Sequence, residues 1–118
     1  MTFTWTTLRV SDLDRSLAFY HDLLGLPVCE RFGPPGHQIA MLGPEDGTKL
    51  ELLSDGPAPA GSGAGVSIGL APEDMPALLA AVQAAGYEIP EPFSPNPSLR
   101  FYFLPDPDGY RVQLVERL

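Results

Sequence analysis

The chain reads as an α+β fold built from two βαβββ modules, and three observations predict it. Short runs rich in β-branched and aromatic residues recur along its 118 residues, bounded by proline and glycine. Two stretches of helical spacing each follow directly behind such a run, and each is stopped by a glycine. The segment Ser54–Gly65, SDGPAPAGSGAG, divides the chain nearly in half, with the same order of elements on either side. One domain, residues 1–118, is therefore expected, with modules of about residues 1–54 and 65–118 and a linker at about 55–64.

Thr2–Val10 is the first strand, rich in threonine, aromatic and aliphatic residues. Ser11 is placed to cap the helix that follows, with Asp12 and Asp14 in its first turn, where the helix dipole favours acids. Leu13, Leu17, Tyr20 and Leu24 recur at helical spacing, and Gly25 ends the run. Val28–Phe32, Gln38–Leu42 and Lys49–Leu53 follow as short strands. In the second half, Val66–Leu70 is a strand and Met75–Ala85 a helix ended by Gly86, with Pro76 in its first turn. Tyr87–Phe93, Leu99–Leu104 and Tyr110–Val115 complete the repeat.

Composition narrows the function classes. Hydrophobic content of 44% with 19% charged residues fits a globular protein, and a net charge of −8 disfavours a phosphate backbone as partner. No nucleic acid is expected. No apolar run approaches the roughly 20 residues of a membrane span, and no basic-then-apolar leader opens the chain, so no membrane partner and a cytoplasmic location are expected. A single cysteine, Cys29, excludes an internal disulfide and a thiolate zinc cluster.

Two motifs carry a family resemblance. Leu8-Arg9-Val10-Ser11-Asp12-Leu13-Asp14-Arg15-Ser16-Leu17-Ala18-Phe19-Tyr20, followed by Leu23-Leu24-Gly25-Leu26, resembles the opening of the vicinal oxygen chelate superfamily of glyoxalases, extradiol dioxygenases and bleomycin-resistance proteins. Asp106-Pro107-Asp108-Gly109-Tyr110, leading into Arg111-Val112-Gln113-Leu114, resembles its closing turn and last strand. The resemblance covers nearly the whole chain. It implies that the sheets of the two modules curve into a cup, mixed in strand direction, with ligand inside and helices outside. It also implies a homodimer whose cups are shared between chains.

The resemblance further implies where metal ligands would fall: Trp5, Glu51, Val66 and Gln113. Only Glu51 is a strong donor. An indole presents an N–H and no lone pair, valine presents nothing, and the glutamine amide is a weak oxygen ligand. About three protein ligands are usual at a catalytic site, so no metal and no cofactor are expected. Strand parity then assigns the ligand-contacting wall: Trp5, Thr7 and Arg9, then His37, Ile39 and Met41, then Glu51 and Val66, then Phe101, Phe103, Arg111 and Gln113. Arg9 shares a face with Glu51 and is a partner for it, since a carboxylate on an apolar strand is costly alone. In glyoxalase-like enzymes the same arginine position contacts a substrate carboxylate, so both roles stay open.

On these grounds the leading expectation is a protein that binds a small aromatic or apolar ligand without a catalytic metal, a drug-sequestering resistance type, with enzyme activity left open and the balance against it. Two alternatives stand beside it. One is a metal-dependent lyase, isomerase or dioxygenase, in which His37 or another residue replaces the lost ligands. The other is a metal-free enzyme with Glu51 as general base.

Overall fold

A computed structural model describes residues 1–61 and 63–118, which divide into two compact units, Met1–Ser62 and Gly63–Leu118. Each unit carries one four-stranded mixed sheet and one helical element, so the α+β, two-module reading holds.

In the first unit β1 (Trp5–Arg9), α1 (Leu13–Leu17), β2 (Val28–Phe32), β3 (Gln38–Leu42) and β4 (Lys49–Ser54) follow in order. The sheet order is β1-β4-β3-β2, with β1 parallel to β4 and the other pairs antiparallel. β1 is shorter than the expected Thr2–Val10, and residues 1–4 stand outside it. The helix cap is Asp12 and not Ser11. Its carboxylate accepts from the Arg15 N–H at 3.1 Å, while Ser11 Oγ accepts from the Ala58 N–H at 3.3 Å. Beyond α1 the helix widens into a π-helical segment, Ala18–Leu23, in which the Leu24 N–H donates to the Phe19 carbonyl. The wider turn accompanies full burial of two successive rings, Phe19 and Tyr20, packed edge to face at 4.9 Å. Gly25 then closes the element in the left-handed region (φ 83°), its N–H on the His21 carbonyl.

The second unit runs β5 (Ser67–Leu70), α2 (Met75–Ala84), β6 (Phe93–Asn96), β7 (Leu99–Pro105) and β8 (Arg111–Arg117), with sheet order β5-β8-β7-β6. Asp74 caps α2 through the Ala77 N–H at 3.0 Å, and Pro76 sits in the first turn as expected. The strand expected at Tyr87–Phe93 begins only at Phe93. Pro90 and Pro92 each lack an N–H, so ladder pairing starts after them, and Pro95 falls in the irregular stretch of this edge strand. The turn before β8 is tightly held. The Asp106 carboxylate, 5% exposed, accepts from the Asp108 and Tyr110 N–H groups at 2.8 Å each, and Gly109 takes φ 88°.

One face of each sheet is core and the other is more open. In the first, Leu8, Ala40, Leu42, Leu50 and Leu52 are buried with Leu13 and Leu17 of α1. In the second, Leu104, Val112 and Leu114 are buried. The alternation on β8 is clean: Val112 and Leu114 in, Arg111 and Gln113 toward the other face.

Candidate functional site

The open face of the first sheet gathers half of the residues that parity nominated. Register places Thr7 beside Glu51 and Glu51 beside Met41, so the three form one row across β1, β4 and β3. The next row holds Arg9, Leu53 and Ile39. Trp5 lies beside Lys49 at the strand start and is 51% exposed. His37 stands apart. It is exposed, outside β3, in a turn where its N–H donates to the Pro34 carbonyl.

Glu51 is the chemical centre of this face. Thr7 Oγ1 donates a hydrogen bond to Glu51 Oε1 at 2.6 Å, the length of a charge-assisted O–H···O⁻ bond. That bond holds one carboxylate oxygen in place and leaves the other to act as acceptor or base. The expected Arg9–Glu51 pair is replaced by another: Arg9 Nη2 meets Asp55 Oδ2 at 3.3 Å. Asp55 lies just past the end of β4, and its short side chain meets Arg9 from beyond the ladder. Lys49 is likewise occupied, its Nζ donating to the Glu45 and Gly47 carbonyls at 3.0 and 2.6 Å.

Parity counting missed two residues on this face, Glu30 and Phe32, which pair with Met41 and Ile39. A register shift between Val28 and Glu30 breaks the count along β2, and no residue type in Val28–Phe32 announces it. Glu30 thus joins the Thr7–Glu51–Met41 row as a second carboxylate, roughly 10 Å from Glu51 at two strand spacings.

On the second sheet the register corrects one nominated residue. Ser67 pairs with Arg111 and Gly69 with Gln113, whereas Ile68 pairs with the buried Val112. Val66 precedes the strand, is 47% exposed, and does not share the Gln113 face by strand parity. The position expected at Val66 therefore belongs to Ser67, one residue on, because a one-residue slip turns every side chain to the other face. The sequence held the signal: Val66, Ile68 and Leu70 are the apolar alternation, and Ser67 and Gly69 the small, open one. Phe101 and Phe103 do share the open face, paired with Val115 and Gln113.

The donor set is a poor match for a resident divalent metal. Taken unit by unit, the first offers an indole and one carboxylate at these positions, and the second a serine hydroxyl and a primary amide. Among the described residues there is no group of three or more His, Cys, Asp or Glu able to hold a metal ion. Nor is any helix among them long and apolar enough to cross a membrane.

Comparison with known proteins places this geometry. The family model described as the Glyoxalase/Bleomycin resistance protein/Dioxygenase superfamily matches residues 2–114. A lactoylglutathione lyase of Haemophilus influenzae is 34% identical over 127 residues, covering 98% of this chain and 93% of the relative. The trypanothione-dependent glyoxalase I of Leishmania major superposes with a TM-score of 0.75 at 28% identity, covering 98% of this chain and 86% of that one. An antibiotic-binding protein of Streptomyces sp. CB03234 superposes with a TM-score of 0.77 at 21% identity, covering 100% and 97%. That third likeness shows the shared fold alone. These relatives overturn the expectation of a drug-sequestering protein: the Haemophilus influenzae relative, 34% identical and covered over 93% of its length, is named for a lyase.

Proposed function

This chain belongs to the glyoxalase/bleomycin resistance protein/dioxygenase superfamily, and from that premise we propose that it is a lyase of the lactoylglutathione type with Glu51 as its proton-moving group. The observation that carries the reading is the Thr7–Glu51 hydrogen bond of 2.6 Å on the open sheet face. A lactoyl thioester that loses glutathione without water leaves a 2-oxoaldehyde by atom balance. Between the two, a proton must move across adjacent carbons, one bearing a carbonyl. A fixed carboxylate takes the proton from one carbon and returns it to the next, which is general base and then general acid catalysis by one group. Thr7 holds that carboxylate in one orientation, so less motion must be frozen out as the proton transfers. No step here runs through a metal, because this chain's donors do not fit one. A cytoplasmic homodimer completes the proposal, and exposed apolar side chains such as Phe3 and Val28 support the dimer.

The test is thioester formation from 2-oxopropanal and glutathione, followed by ultraviolet absorbance. The wild-type protein is expected to exceed the uncatalysed rate, and Glu51→Gln to lose about 10²-fold or more, the usual worth of a positioned general base. An unaltered rate in Glu51→Gln, or no acceleration by the wild type, refutes the reading.

A further inference from the structure

The open face of the second sheet has a charge that the rest of the chain does not share. The protein has 15 acidic and 7 basic residues. Yet the register across the four strands of this sheet puts Arg111 and Arg117 on this face and no aspartate or glutamate. Glu116 lies on the opposite face, bound to Arg100 at 2.7 Å. Arg111 makes no ion pair among the described residues, and its guanidinium carbon sits 4.0 Å from the Phe103 ring centroid. Stacking uses the flat face of a guanidinium and leaves its N–H edge for a planar anion.

The aromatic surface continues from there. Phe103 meets Phe101 edge to face at 5.3 Å, and Phe101 meets Phe93 at 5.4 Å. On the other side of β8, the same face of β5 offers only the small residues Ser67 and Gly69. At Gly69 an added Cβ would find Val115 at 3.7 Å and the Gln113 amide oxygen at 3.8 Å, so the strand leaves the floor open. A row of rings ended by a stacked arginine, with an amide and no acid on the same strand face, complements one chemistry: a flat ring bearing a carboxylate.

We propose that this face is a binding site for an aryl carboxylate, with the ring against Phe101 and Phe103 and the carboxylate on Arg111. The proposal stands on the second unit alone and needs nothing from Glu51.

The probe is 2-naphthoate, compared with neutral 2-naphthylmethanol, in an amide NMR titration of the full chain. Naphthoate is expected to bind saturably, to shift the amides of Gly69 and Gln113, and to bind about tenfold tighter than the alcohol, the worth of one exposed charge-assisted contact. Arg111→Gln is expected to remove that difference, and Phe103→Leu to weaken both ligands. Both side chains lie on the open face, and retained amide dispersion in each variant shows that the fold is intact. Equal binding of the two ligands overturns the assignment. So does a preference that survives Arg111→Gln, a shift pattern outside the second sheet, or no saturable binding. A protein that forms thioester but fails with naphthoate keeps the lyase reading and loses this one. A protein that binds naphthoate through Arg111 but turns nothing over does the reverse.

Discussion

Thr7→Val isolates the contact on which the proposed chemistry turns. The substitution keeps the β-branched shape and the strand preference of residue 7 and removes only the hydroxyl. What is lost is a 2.6 Å bond to a carboxylate. Hydrogen bonds to charged groups contribute about 1.5–3 kcal/mol when sheltered, and because Thr7 is exposed the value is discounted to just below that range, about 1–1.5 kcal/mol. If the bond holds Glu51 in its reactive orientation, that loss appears in the barrier as a fall of roughly 5–15-fold in kcat/KM. Folding stability should change by less than about 0.5 kcal/mol, since the site is on the open face and valine suits a strand. The assay is steady-state thioester formation, with urea unfolding on the same samples. Thr7→Ser restores the donor and should stay within about twofold of wild type. Undiminished kcat/KM in Thr7→Val would refute the positioning role. A loss of about 2 kcal/mol of stability with no kinetic effect would make the bond structural instead.

Asp106→Ala strips both 2.8 Å acceptor contacts from a buried turn, and urea unfolding should show a loss of about 2–3 kcal/mol. Leu52→Ala empties a fully buried position on β4, with an expected loss of about 2–5 kcal/mol by the same measurement. Protein purified without chelator should hold far less than one equivalent of divalent metal by elemental analysis. A stoichiometric, tightly held ion would overturn the donor-set argument. Light scattering should give about twice the 12.7 kDa chain mass, and a monomer would remove the homodimer from the proposal.

Much of the fold was legible because its signals are local. The N-terminal acids of the first helix, the glycine stops at Gly25 and Gly86, and the alternation along β4 and β8 each depend on a few neighbouring residues. The Asp106–Tyr110 turn is the clearest case, since the carboxylate that closes it lies two and four residues from its donors. Pairing partners were not local, and there the reading failed. Pairing puts Ser67 and not Val66 on the Gln113 face, starts β6 only after Pro90 and Pro92, and sets Glu30 and Phe32 beside Met41 and Ile39. The π-helical segment at Ala18–Leu23 has no mark in the leucine spacing around it.

The residue types on the open faces were therefore written in the chain, and so was the family to which they belong. Glu51 was singled out from sequence as the strong donor on its strand. What it bonds to was settled by strand pairing: Thr7 lies next to it across a parallel ladder 44 residues apart, while Arg9 closes on Asp55. The same holds for Arg111. Its place on β8 follows from alternation, but its stack on Phe103 exists because β7 runs antiparallel beside it. Alternation is a property of one strand and can be counted. Contact is a property of two, and it is chosen by the packing of the whole sheet.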